Sequence, residues 1–115
     1  VDKDMSCIFC KIVNKEIPSK IVFENDEVLA FRDINQAAPT HILVIPKKHI
    51  PTLNDLSDDD IMISLLSAVK QIVKQEKVDT TGYRLVCNCN KQGGQEVYHL
   101  HFHILASRQM QWPPG

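Results

Sequence analysis

The longest regular pattern in the chain runs through "LSDDDIMISLLSAVKQIVKQE", where Met62, Leu65, Leu66, Val69, Ile72 and Val73 recur at three- and four-residue steps. Side chains at that spacing share one face of a helix, so the stretch predicts an amphipathic helix packed on a core. Ser57 stands before it as the candidate cap, and Asp58, Asp59 and Asp60 suit the positive end of the helix dipole. Other stretches carry strand patterns. "KIVFENDEVLAFRDI" places two β-prone runs around the turn pair Asn25-Asp26 and predicts a hairpin. Residues 42–45 in "APTHILVIP" are continuously apolar, as in a strand buried on both faces. "YRLVCN" and "VYHLHFHILA" predict two more strands, separated by the loop "NKQGGQ"; residues 79–82 supply a turn. "CIFCKIVNKEIP" mixes apolar and charged residues at roughly helical spacing until Pro18 ends it. Strands separated by one long helix predict an α+β domain with an antiparallel sheet.

Length and charge narrow the class. A chain of 115 residues is expected to form one domain over 1–115, with residues 1–6 a candidate disordered N-terminal extension. A formal net charge of -1 argues against a bulk nucleic-acid or membrane-surface binder, so neither partner is expected. No apolar run approaches the roughly 20 residues of a membrane span. The start, "VDKDMSC", is charged and has no signal-peptide pattern, so the expected location is cytoplasmic. The four cysteines fall in two pairs, Cys7 with Cys10 and Cys87 with Cys89. Without a secretion signal they read as reduced thiols or a metal site.

The sharpest chemical signal is "YHLHFHIL" at 98–105, where three of the five histidines fall at alternate positions. In a strand, Leu100, Phe102 and Ile104 take one face and His99, His101 and His103 the other. Two readings compete. As one metal site the triplet fits poorly, because alternate residues on a straight strand stand roughly 6.6 Å apart and the outer pair roughly 13 Å. As phosphoryl chemistry it fits better. Neutral imidazole is a nucleophile, and flanking imidazoles can donate hydrogen bonds to phosphate oxygens. His101, with a helper on each side, is the natural attacker.

"HLHFHIL" resembles the signature of the histidine triad (HIT) nucleotide-binding proteins. "FCKIVNKEIPSKIVFENDEVLAFRDI", "APTHILVIPKKHI", "GYRLV", "GGQEVYHLHFHIL" and "RQMQWPPG" extend that similarity to the Hint branch over about 7–115. The resemblance implies a five-stranded antiparallel sheet with two helices, and a homodimer joining two such sheets. It implies binding of purine nucleoside monophosphates and hydrolysis of their phosphoramidates or acyl adenylates through a nucleotidyl-histidine intermediate. In that scheme His101 matches the nucleophile, His103 the phosphate-contacting histidine, and His41 a further histidine near the triad. Asp33 matches the acid that holds the ribose hydroxyls, and Ile34 lines the same pocket. Asn88 contacts phosphate or leaving group, Gly94 and Gln95 belong to a loop whose backbone approaches the phosphate, and Trp112 sits in a tail that sets substrate preference. A histidine at position 103 favours a hydrolase over the nucleotidyltransferase branch, which usually carries Gln there. The alternatives are a zinc-containing nucleotide sensor with vestigial hydrolysis and a dinucleoside polyphosphate hydrolase.

Two positions depart from the animal Hint pattern. Glu96 stands where a phosphate-contacting Ser is usual, and Gln111 where a His is usual. The C-x-x-C of Cys7 and Cys10, taken alone, fits a redox motif, structural zinc or plain buried thiols. Many microbial HIT proteins bind zinc there, and the positions matching their other ligands are His49 and His99. That set implies one structural zinc on two thiolates and two imidazoles, which leaves His99 a ligand rather than a proton donor.

Overall fold

A computed structural model describes residues 6–115; of the candidate extension 1–6, only Ser6 is among them. In chain order the elements are α1 (Ile8–Val13), β1 (Ile21–Glu24), β2 (Val28–Arg32), β3 (Thr40–Pro46), a 3-10 turn (Leu53–Asp55), α2 (Asp59–Gln75), β4 (Tyr83–Val86) and β5 (Phe102–Ala106). The strands form one antiparallel sheet in the order β1-β2-β3-β5-β4. With its two helices, this is the α+β architecture expected.

The sheet has two apolar faces because its inner strands are apolar at both parities. Val28, Ala30, Ile42, Val44 and Ile104 face α2, where they meet Ile61, Leu65, Val69, Ile72 and Val73. Leu29, Phe31, Leu43 and Ile45 point the other way, onto Phe9, Cys10 and Ile12 of α1. The continuously apolar run 42–45 therefore does belong to a strand covered on both sides. Asn25 closes the first hairpin, its Oδ1 accepting from the N–H groups of Glu27 (2.9 Å) and Val28 (2.8 Å).

Three local expectations need correction. Ser57 does not cap α2; Asp58 does, accepting from the N–H of Asp60 at 2.9 Å and of Ile61 at 3.4 Å. A carboxylate there also meets the helix dipole, which a hydroxyl does not. Met62 and Leu66 are 38% and 47% exposed, and Ile61 and Ala68 take the buried places instead. The last strand begins at Phe102 rather than near Tyr98. The ladder pairs Val44 with Phe102, so Leu100 would come opposite Pro46. Proline has no N–H to give, and the ladder stops there. Leu100 donates instead to the carbonyl of Ile50, at 2.6 Å.

Ile72 is fully buried between α2 and the sheet. Ile72→Ala is expected to lose about 2–5 kcal/mol in denaturant unfolding. Asp58→Ala is expected to cost about 1 kcal/mol, and Ser57→Ala markedly less. Equal losses for the two polar substitutions would contradict the cap assignment.

Candidate active site and metal-ligand cluster

β5 sets His103 on the α1 face of the sheet, opposite Leu43 and diagonal to His41, which pairs with Leu105. His101 lies just before the strand. Its ring stands 4.9 Å from that of His103, and Phe9 of α1 packs edge-on against it at 5.1 Å. These side chains line a cavity of about 340 Å³ together with Asp33, Asn88 and Gly94. That is large enough for a small ligand.

The hydrogen bonds fix which ring nitrogen carries each proton. His101 Nδ1 lies 2.7 Å from the carbonyl oxygen of His99. A carbonyl only accepts, so Nδ1 holds the proton and Nε2 keeps its lone pair. His41 Nδ1 accepts from the Ala37 N–H at 3.0 Å, so the proton of neutral His41 sits on Nε2. That Nε2 lies 2.9 Å from His103 Nδ1 and 3.5 Å from Asp33 Oδ2. His103 Nδ1 is then the acceptor, and its proton sits on Nε2. His103 Nε2 is buried and has no partner among the described residues. A buried N–H without a partner is costly, and a ligand oxygen would relieve it.

Burial also keeps these rings uncharged. Desolvation pushes His103 down to about 4, with His101 and His41 adding to the effect and Asp33 opposing it. Desolvation lowers His101 too, against the His99 carbonyl and Asp33. His41 is lowered by burial and partly restored by Asp33. A neutral His101 is the nucleophilic form.

His99 turns away from this cavity. Its Nε2 donates to the carbonyl of Pro46 at 2.8 Å, which frees Nδ1. Nδ1 faces Cys7 Sγ at 3.3 Å and Cys10 Sγ at 3.6 Å, while His49 Nδ1 lies 3.3 Å from Cys10 Sγ. The four ligand atoms all lie within 4.8 Å of one another, close enough to hold a metal ion. Ligands of a tetrahedral zinc stand roughly 3.5 Å apart, given metal–ligand bonds of about 2.0–2.3 Å, so the donor set and its spacing fit. Cys87 and Cys89 are not part of this group. Desolvation, with Cys89 beside it, raises the Cys87 thiol, which keeps it protonated.

Of the other sequence-predicted residues, Asp33, Asn88 and Gly94 line the cavity. Gly94 sits at φ +79, where glycine is favoured, and a Cβ on Gly93 would meet the Cys89 carbonyl oxygen at 2.5 Å. Three residues stand apart from the lining. Ile34, 95% exposed, points into solvent, and Trp112 is 81% exposed on the tail. Gln95 is buried and works within its loop: its Oε1 accepts from the Asn90 N–H, and its Nε2 donates to the carbonyls of Pro51 and Val97. Sequence reasoning missed Ile8, Phe9, Leu43 and Val97 as lining residues. The helical pattern of "CIFCKIV" was the available sign that one side of α1 must face something.

The triad splits between two centres, and fold and comparison agree on the class. The HIT domain model matches residues 14–110, and the chain belongs to the HIT domain family. Among curated proteins it is 49% identical over 105 residues to the purine nucleoside phosphoramidase of Escherichia coli (strain K12), covering 90% of this chain and 88% of that protein. Among solved structures it is similar to a HIT family hydrolase from Legionella pneumophila Philadelphia 1, with TM-score 0.92 and 54% identity over 96% of this chain and 100% of that one. A histidine triad protein from Clostridium difficile follows, with TM-score 0.91 and 50% identity over 95% and 96% of the two chains.

The depressed titration of His103 has a consequence for acid stability. Free imidazole titrates near 6.5, so as pH falls an unfolded chain takes up this proton before the native one. The stability from keeping His103 neutral is full above about pH 6.5 and is lost progressively toward about 4. Urea midpoints measured from pH 7.5 to 4.5 are expected to fall more steeply for the wild type than for His103→Gln. Parallel curves would contradict burial of a neutral ring.

Proposed function

We propose that the chain is a purine nucleoside phosphoramidase: a hydrolase that releases a nucleoside monophosphate and a free amine through a nucleotidyl-histidine intermediate on His101. The observation that carries this reading is one cavity lined by both His101, whose Nε2 keeps its lone pair, and His103, whose buried Nε2–H has no partner among the described residues. Acyl adenylates are substrates of the same kind, with an acyl oxygen as leaving atom. The 49% identity to a protein named for this activity supports the reading.

In the first step His101 Nε2 attacks the phosphorus. A new P–N bond forms to the imidazole, which becomes an imidazolium keeping its Nδ1–H; the P–N bond to the amine breaks, and the amine departs with a proton taken from solvent. In the second step the oxygen of a water bonds to phosphorus, the phosphorus–imidazole bond breaks and a proton returns to solvent, giving the monophosphate and neutral His101. The His103 Nε2–H and the backbone at Gly94 meet the phosphate oxygens. Asp33 takes the ribose hydroxyls; its Oδ1 already accepts from the Asn35 N–H, and its remaining lone pairs are available. His41 holds His103 in the required tautomer. Asn88 contacts the phosphate or the leaving group.

The group of Cys7, Cys10, His49 and His99 holds one zinc in this reading. The ion is structural, tying α1 to the segment that carries His101. The functional unit is a homodimer of one HIT domain per chain. β4 is a sheet edge with exposed Tyr83 and Leu85, which suits pairing with a second copy. Ile34 and the Trp112 tail then serve the site from the assembled dimer, and Gln95 supports it through its loop. None of the four cysteines is joined in a disulfide, which fits a reducing, cytoplasmic setting. No helix among the described residues is long and apolar enough to cross a membrane.

The test is AMP release from an adenosine 5′-phosphoramidate. His101→Ala is expected to reduce turnover by at least about 10⁴-fold while AMP affinity stays within a few-fold. A folded wild type that binds AMP and releases none would move the nucleotide-sensor reading to first place. Metal analysis of protein never exposed to chelator is expected to find close to one zinc per chain; none found would remove the metal from this account.

A further inference from the structure

We propose that Glu96 is a specificity-determining residue, selecting phosphoramidates whose leaving amine carries a second, positively charged group. The inference rests on the phosphoramidase reading and names its substrate class.

Glu96 lines the same cavity as His101 and His103. It is exposed, and no hydrogen bond or ion pair holds it among the described residues. Other glutamates have partners. Glu24 meets Lys15 at 2.9 Å and Lys47 at 2.8 Å, Glu76 meets Arg32 at 2.7 Å, and Glu27 accepts from Ser64 at 2.6 Å. The cavity's other carboxylate, Asp33, is engaged by the Asn35 N–H and lies beside His41. Glu96 thus presents an uncompensated carboxylate where an anionic phosphate must bind.

The lining contains no Lys or Arg to offset either carboxylate. An anionic substrate entering this cavity meets repulsion unless it brings its own positive charge. The leaving group is the part of the substrate able to carry it. Space exists on that side: Glu96 also borders an adjoining hollow of about 330 Å³, lined with Ser6, Ile8, Val97 and Tyr98 and by Cys7 and His49 of the ligand cluster. The carboxylate's anchor point is fixed, because neighbouring Gln95 is buried and tied by three hydrogen bonds. A cation on a short tether from the scissile nitrogen can therefore face Glu96. An exposed pair of this kind supports about a tenfold preference, which salt should weaken.

The test compares two adenosine 5′-phosphoramidates of equal length, one of propylamine and one of 1,2-diaminoethane with its distal amine protonated. The readout is the ratio of kcat/KM, cationic over neutral, within each variant. That ratio does not depend on the folded fraction, and intrinsic leaving-group differences cancel between variants. The wild-type ratio is expected to exceed that of Glu96→Gln by about tenfold. Glu96→Asp should keep most of it, Glu96→Lys should invert the preference, and raised ionic strength should shrink it in the wild type and Glu96→Asp but not in Glu96→Gln. Equal ratios in wild type and Glu96→Gln would overturn charge selection while leaving the phosphoramidase reading intact. Absence of AMP release from both substrates in the wild type would instead overturn the phosphoramidase reading, and this inference with it.

Discussion

Two carbonyl groups decide what the histidines of this protein can do. Pro46 ends the β3–β5 ladder because it has no N–H, and its carbonyl accepts the Nε2–H of His99. That bond leaves His99 Nδ1 free on the side of the two thiols. The carbonyl of His99 in turn accepts the Nδ1–H of His101 and leaves His101 Nε2 free on the side of the cavity. A shift to the other tautomer in either ring would forfeit a buried hydrogen bond and aim a proton where a lone pair is needed. The same backbone segment therefore places His99 in the ligand cluster and His101 at the cavity without competition between them.

Electrostatics follows from burial rather than from charge partners. His99 and His103 both titrate near 4, mainly because their charged forms are desolvated. A cationic histidine row would attract phosphate more strongly but would have no nucleophile. The structure favours neutral rings. Under the proposed function, attraction for the substrate then comes from hydrogen bonds, from the apolar lining of Phe9, Leu43 and Val97, and from whatever charge the substrate itself carries.

Much of this was legible in the residues. Alternation separated Leu100 and Ile104, which pack toward α2, from the histidines, and the continuous run 42–45 marked a strand covered on two sides. The HIT resemblance pointed to Asp33, Asn88 and Gly94, which reach the cavity from three separate parts of the chain; no local pattern relates them. The failures have physical causes. Period-two reasoning assumed a straight strand through 99–103, but a proline on the neighbouring strand ended it. The helix stripe placed Leu65, Val69, Ile72 and Val73 correctly but also included Met62 and Leu66, because hydrophobicity alone does not fix which edge of a wide stripe is buried. Ile34 and Trp112, assigned by resemblance, lie outside the cavity lining and are exposed.

Phe9 shows why a short helix at the start of the chain bears on a site formed near its end. α1 has six residues, too few to persist by its own hydrogen bonds. Two attachments hold it: the apolar contacts of Phe9 and Ile12 with the sheet, and the grouping of Cys7 and Cys10 with His49 and His99. Phe9 lies between those two cysteines in sequence and packs edge-on against Phe31, His99 and His101. Loosening either attachment must move the ring that shields one side of His101 from water. Desolvation is the main cause of His101's lowered titration, so the packing of α1 also helps keep its imidazole neutral. The ligand cluster and the cavity are consequently one structural unit, joined through an apolar side chain that has no chemistry of its own.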